Sequence, residues 1–302
     1  MIRLGTRKSK LALWQAEFVA HKLRTKGLEC ELVTMETKGD KIQNVSIHKI
    51  GSKGVFTEEL EQKLVSGEID VAIHSAKDLQ STLPADFEII AFTEREITND
   101  VVVSDNPIDL DDSNLVLGSS STRRVALFKK HFPHITMVDM RGNLQTRMGK
   151  MRDGACDGLV LAYAGVHRMG YDDRVQYRLP LDQFVPAVGQ GSVAIEAYKG
   201  LGRQKKTAIR DAVNDSPTEK LILAERAYLA RLNGGCSIPI YGNAIYAKGG
   251  ISMTGGIISL DGRRQIIEKI TDADPIIAGE KMAEVVLGKG GGNILADIRN
   301  QL

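Results

Sequence analysis

The chain is 302 residues long, more than one compact core ordinarily serves, which predicts two or three domains with separate apolar centres. A hydrophobic share of 42% beside 26% charged residues is that of a globular protein, and no stretch approaches the roughly 18 uninterrupted apolar residues of a membrane span. The formal charge of +2 gives no global argument for nucleic acid, so an anion site has to come from local clusters of arginine and lysine.

The opening residues, Met1-Ile2-Arg3-Leu4-Gly5, lack the basic region and apolar run of a secretory signal, so the expected compartment is the cytoplasm. A strand from Ile2 to Thr6 leads to Ser9, a helix N-cap, and to a helix with Ala12, Ala16, Val19 and Leu23 on one stripe. Gly27 closes that helix, and a second strand is predicted from about Cys30 to Glu36. Residues 38–54 are polar, carry glycines and lack periodicity, which predicts a mobile loop or lid. Phe56, Leu60 and Leu64 then recur at helical spacing up to Gly67. Ile69 to Ile73 reads as a short apolar strand carrying His74-Ser75-Ala76-Lys77-Asp78 at its carboxyl end, where ligands bind in open α/β sheets.

The pattern restarts after Asn99 with strands at Val101–Val103 and Leu115–Leu117, and Gly118 to Arg124 opens the next helix. Strands near Ile135–Met140 and Leu159–Ala162 complete this second lobe. Strand and helix alternation through about residue 190 predicts mostly parallel sheets covered by helices. Val185 to Gly191 reads as a crossing between lobes. Beyond about Asp211 the character changes to a helix around Leu221–Leu232, strands with turn signals at Gly249-Gly250 and Asp261-Gly262, and a final helical region, hence a small α+β domain.

Three strand ends deliver arginine toward one sheet edge: Arg123-Arg124 in a helix first turn after Ser119-Ser120-Ser121, Arg141 with Arg147 beyond the next strand, and Arg168 after a third. Each alone is an ordinary solvated pair beside an N-cap; together they describe a site for carboxylates or phosphates, with no Walker-type loop to favour phosphate. Asp78 beside Lys77 reads either as a surface ion pair or as a carboxylate that moves protons, and His74 as a structural histidine. Cys30, Cys156 and Cys236 are odd in number and lack close Cys or His spacing, so neither a disulfide framework nor a metal site is expected. Cys236 follows Gly234-Gly235 in an accessible loop and is the best candidate reactive thiol.

Taken in order, the segments Thr6 to Ala16, Lys49 to Gly54, His74 to Asp78, Ser120 to Arg124, Arg141-Gly142-Asn143, Pro186 to Gly191 and Gly234 to Cys236 resemble the porphobilinogen deaminase family, also called hydroxymethylbilane synthases, over almost the whole chain. The resemblance implies two type II periplasmic-binding-protein-like lobes with a central cleft, residues 1–96 with 190–210 and residues 97–189, plus an α+β domain over 211–302. It implies a cytoplasmic, monomeric transferase of tetrapyrrole synthesis that condenses four porphobilinogen molecules with release of ammonia, then hydrolyses the product free as 1-hydroxymethylbilane. It further implies a dipyrromethane cofactor on a thioether to Cys236, catalysis by Asp78, and cofactor contacts from Lys77, Ser120, Ser121, Arg123, Arg124 and Gly191. By the same resemblance Arg7, Ser9, Lys49, Lys53, Arg141, Arg147, Arg168 and Gln190 bind substrate; no metal, nucleic acid or membrane is implied. Each pyrrole unit brings two carboxylates, which accounts for a dense arginine field. Ala76, Leu79-Gln80 and His167 depart from the family's commoner residues without removing any of these positions. The rivals are a solute-binding protein, which the same two lobes would serve but which would need an export signal, and a ligand-sensing regulatory domain, for which no DNA-binding helix pair is found.

Overall fold

Ser9 begins the first helix as its spacing predicts: its Oγ accepts from the Ala12 N–H at 3.3 Å, and Ala12, Ala16, Val19, Ala20 and Leu23 bury one stripe. The computed structural model describes residues 1–37, 57–235 and 237–301, so the predicted lid, Lys49, Lys53 and Cys236 lie outside the described residues. In the first lobe, strands β1 (Ile2–Arg7), β2 (Cys30–Met35), β3 (Val71–Ser75), β4 (Phe87–Phe92) and β10 (Val193–Tyr198) form a sheet in the order β2-β1-β3-β10-β4. Helices α1 (Lys10–Thr25) and α6 (Arg203–Val213) share one apolar core with it, and α2 (Glu58–Ser66) contributes Leu60 and Leu64 to another.

The second lobe repeats that arrangement. Its strands are β5 (Asp100–Val103), β6 (Val116–Gly118), β7 (Thr136–Val138), β8 (Gly158–Ala162) and β9 (Val175–Arg178), ordered β7-β6-β8-β5-β9. Helices α3 (Thr122–His131), α4 (Leu144–Arg152) and α5 (Tyr163–Arg168) follow β6, β7 and β8. In both sheets the fourth strand runs antiparallel to both neighbours, β10 against β3 and β4, β5 against β8 and β9. The mostly parallel sheets expected from the sequence are therefore mixed, because each lobe takes one strand from chain that has just crossed between them.

The third unit is an antiparallel meander, β11 (Ile240–Ala247), β12 (Gly250–Ile258) and β13 (Gln265–Asp272), covered by α7 (Ser216–Arg231), α8 (Pro275–Val286) and α9 (Gly292–Gln301). Helix α7 starts earlier than its apolar stripe suggests because Asp215 caps it, Oδ2 accepting from the Thr218 N–H at 2.9 Å. Strand β3 starts two residues later than expected. The Asp70 N–H donates instead to the Arg3 carbonyl at 2.9 Å, while Ile69, 1% exposed, joins the core under α2.

The two crossings run side by side. Thr93 N–H donates to the Val193 carbonyl at 3.0 Å, the Val193 N–H to Thr93 Oγ1 at 3.1 Å, and Ser192 Oγ–H to the Thr93 carbonyl at 2.8 Å. Gly191 has φ +102°, and a Cβ there would stand 2.5 Å from the Glu96 carbonyl oxygen, so only glycine fits. Glu225 of α7 ties these crossings to the third unit. Fully buried, it pairs with Arg95 at 2.6 and 3.1 Å and accepts from the N–H groups of Gly189 at 2.8 Å and Ala244 at 2.7 Å. Glu225→Gln keeps the shape and strands the Arg95 charge; breaking a buried pair costs about 3–5 kcal/mol. Its denaturant midpoint is expected to fall well below the parent's, and an unchanged midpoint would show that the pair contributes nothing.

Candidate functional site

The carboxyl end of β3 turns at once into a single 3₁₀ turn, Ala76–Asp78, which projects Lys77 and Asp78 from the first lobe. Asp78 is exposed, and among the described residues no hydrogen bond or ion pair within 4 Å engages its carboxylate. Its charge nevertheless acts on Lys77 beside it and on Arg147 of the second lobe. The two lobes thus bring their charged ends together. Lys77 Nζ donates to Gln190 Oε1 at 3.4 Å.

Lys77 is pushed down to about 8, first by burial and next by the positive charge of Arg124, with Arg123 adding to it and Asp78 and Asp100 opposing. A lysine that titrates lower in the folded than in the unfolded state penalises folding below its folded value. That penalty fades as pH rises from about 8 toward the ordinary 10.5. Over the same interval the ammonium that would hold an anion is lost.

On the second lobe, β6, β7 and β8 are parallel neighbours, so their carboxyl ends share one edge, as the strand-end reading required. Ser121 caps α3, its Oγ accepting from the Arg124 N–H at 3.5 Å; Ser120 beside it is exposed. Arg123 and Arg124 are buried and largely engaged. Arg123 Nη2 lies 2.7 Å from Asp100 Oδ2, and its Nη1 donates to the Val185 carbonyl at 2.8 Å. Arg124 donates to Asp100 Oδ1 from Nε at 3.0 Å and Nη2 at 2.8 Å, and from Nη1 to the Val160 carbonyl at 3.2 Å.

Arg141 and Arg147 differ from that pair. Arg141 Nη1 and Arg147 Nε are buried atoms without a hydrogen-bond partner among the described residues. Arg147 is pushed down to about 10 by burial, then by Arg124, with Asp78 opposing. A buried guanidinium N–H without an acceptor is costly, and an incoming carboxylate removes the cost. Arg141 precedes Gly142, whose φ of +115° begins the loop into α4, and Arg147 lies in the first turn of that helix, which Asn143 caps, its Oδ1 accepting from the Thr146 N–H at 2.9 Å. Arg168 donates to the Gly191 carbonyl at 2.6 Å and its guanidinium stacks 5.3 Å from the Trp14 ring centre; burial lowers it.

The remaining expected residues have partners of other kinds. Ser9 is the cap of α1, and Arg7 ends β1. Gln190 is 1% exposed and fully used inside the protein: Nε2 donates to the Thr98 carbonyl at 2.7 Å and to Asp100 Oδ1 at 3.0 Å, while Oε1 accepts from Lys77 and from Arg124 Nη2 at 3.4 Å. The Gly191 carbonyl accepts from Arg168 and from the Glu96 N–H at 3.1 Å. His74 is structural as read, its Nε2 lying 2.9 Å from the buried Glu196 carboxylate.

Asp100 is the residue the sequence reading missed. It is fully buried; burial alone would raise its pKa, but Arg123 and Arg124, with hydrogen bonds from Arg124 and Gln190, hold it well below the usual carboxylate range. An acidic residue placed immediately before the all-valine run 101–103 was the available signal, since a charge entering a buried strand needs a partner.

Comparison with known proteins gives the site a context. A sequence profile described as the porphobilinogen deaminase dipyromethane cofactor binding domain matches residues 2–206, and one described as the porphobilinogen deaminase C-terminal domain matches residues 220–288. A porphobilinogen deaminase of Cytophaga hutchinsonii is 53% identical over 305 aligned positions covering 100% of this chain and 98% of that protein. Those of Desulfosudis oleivorans and Desulfitobacterium hafniense are 48% and 42% identical, covering 99% and 100% of this chain and 98% of each relative.

Proposed function

The chain belongs to the porphobilinogen deaminase family, and from that premise we propose how its own residues carry the family's reaction. It is a transferase of tetrapyrrole biosynthesis that condenses four porphobilinogen molecules stepwise with loss of ammonia, then releases 1-hydroxymethylbilane by hydrolysis. Its cofactor is dipyrromethane. The observation that carries the residue reading is the pair of buried guanidinium atoms without a hydrogen-bond partner among the described residues, one on Arg141 and one on Arg147, the latter within reach of the charge of Asp78. Donors of this kind fit a cofactor and substrate whose every ring bears two carboxylates.

In this reading Lys77, Ser120, Ser121, Arg123, Arg124 and the backbone at Gly191 hold the cofactor's carboxylates, and Cys236 carries it on a thioether. Arg141, Arg147 and Arg168 take carboxylates of the incoming unit, together with Arg7, Ser9, Lys49 and Lys53, whereas Gln190, expected from the sequence to bind substrate, has spent its donors on Thr98 and Asp100 and serves behind them by orienting Lys77 and Arg124. Bound there, the dipyrromethane supplies the pyrrole carbon to which the first unit is joined. Asp78 holds a proton at its carboxyl oxygen for the departing amine and, once ionised, faces the pyrrole N–H of the substrate. The proposal includes a division at residues 1–96 with 190–210, 97–189 and 211–302, and a cytoplasmic monomer without a nucleic-acid partner. Among the described residues no helix is long and apolar enough to cross a membrane.

Intact mass and turnover test this reading together. Purified protein is expected to exceed its sequence mass by two pyrrole units and to consume porphobilinogen with release of ammonia. A chain of unmodified mass that binds porphobilinogen and leaves it unchanged would make this a solute-binding protein instead.

A further inference from the structure

We infer that Asp100 is a positioning residue of this site: its one carboxylate locks Arg123 and Arg124 and, through Gln190, Lys77 into a single frame that faces the anionic ligand. The inference rests on the reading above that this face receives carboxylates.

Neighbouring residues on a helix point about 100° apart and do not face each other. Arg123 and Arg124 open α3 and would diverge and repel without a common anchor. Asp100 supplies it, with Oδ2 at 2.7 Å from Arg123 Nη2 and Oδ1 accepting from Nε and Nη2 of Arg124. The Val185 and Val160 carbonyls fix the opposite Nη1 groups. Of the five N–H groups on each guanidinium, Arg124 has spent four in hydrogen bonds and Arg123 one, with Arg123 Nη2 in ion-pair contact with Asp100 Oδ2, so Asp100 constrains which edge of each remains for a ligand.

A purely structural ion pair would end there, whereas this one continues across the lobes. Asp100 Oδ1 also accepts from Gln190 Nε2 at 3.0 Å, which turns Gln190 Oε1 toward both Arg124 Nη2 and Lys77 Nζ at 3.4 Å. Because an amide cannot accept through its NH₂, the Asp100 carboxylate, together with the Thr98 carbonyl at 2.7 Å, fixes the flip that presents oxygen to Lys77. The charges facing Lys77 are Arg124, Arg123, Asp78 and Asp100, and Asp100 is the buried one that supports its ammonium. Removing the Asp100 charge lowers the pH at which Lys77 loses its proton.

The experiment uses full-length enzyme and the variants Asp100→Asn and Asp100→Glu, with cofactor loading read from intact mass. Lys77 is titrated by its acetylation rate against pH, quantified by peptide mass spectrometry, and porphobilinogen turnover gives KM and kcat. Asp100→Asn is expected to move the Lys77 titration to lower pH, to lower the loaded fraction, and to raise KM by about tenfold or more with a smaller change in kcat, the pattern of lost ligand positioning. Asp100→Glu recovers part of each. A folded Asp100→Asn enzyme with the parent's Lys77 titration, loading and KM overturns the inference, even if it melts earlier. Where Asp100→Asn does not fold, Gln190→Leu keeps both arginine pairs and removes the bridge; it must shift Lys77 in the same direction and raise KM, and unchanged values overturn the inference. A parent enzyme lacking the adduct and turnover would fail the functional reading itself, a separate result.

Discussion

Asp78→Asn is expected to fold like the parent and to lose about 10² to 10⁴ in the rate of bond formation, the usual cost of removing a positioned acid or base. Asparagine has nearly the same volume, the side chain is exposed, and among the described residues no hydrogen bond or ion pair would be broken by the substitution. What disappears is the titrating proton and the negative charge that supports Lys77 and Arg147. Both cations therefore become harder to keep charged, so the loss compounds the missing proton transfer. Asp78→Glu retains the charge and displaces it by one methylene, and belongs between the two. Single-turnover formation of enzyme-bound intermediates, on protein already carrying its cofactor, separates chemistry from assembly. An Asn variant within about threefold of the parent would reduce Asp78 to a surface charge of the kind worth at most about 1 kcal/mol.

Cys236→Ser is expected to fold and to be inactive, with an intact mass equal to its sequence mass. A serine hydroxyl is a far poorer nucleophile than a thiol or thiolate, so the thioether of the proposed attachment does not form. The two described thiols make poor substitutes. Burial pushes both Cys30 and Cys156 up, and Cys156 is 6% exposed against Gly118. Cys30→Ser and Cys156→Ser should keep the two-pyrrole adduct. A normal adduct and full turnover in Cys236→Ser would move the attachment elsewhere.

Local signals carried much of the fold, and they failed where partners were distant. Ser9, the stripe from Ala12 to Leu23 and Gly67 at the end of α2 are read over a few residues, and each behaves as expected. Strand β10 escaped because Val193–Tyr198 follows the crossing glycines directly, and its place between β3 and β4 depends on residues about a hundred positions earlier. Helix α6 escaped because only Ile209 and Val213 of its eleven residues are buried. The arginine field was legible as composition, since three parallel strand ends share an edge. Its internal division was not: a sequence shows that Arg124 and Arg147 are cations, but not that one is spent on Asp100 and the other left with an unused donor. Burial also adds a consequence the sequence lacks, since replacing Arg124 strands part of a buried carboxylate and must weaken folding as well as ligand binding.

The side-by-side crossings set an order of assembly during translation. Ser75 of β3 pairs with Val193 of β10, and β4 reaches the sheet only through that same strand. While residues 100–178 emerge, the second lobe can close all five of its strands, whereas the first stands as β2-β1-β3 with an open edge beside an unattached β4. A nascent chain therefore completes its middle before its beginning, and the open edge of β3 is exposed to wrong pairing until residue 198 leaves the ribosome.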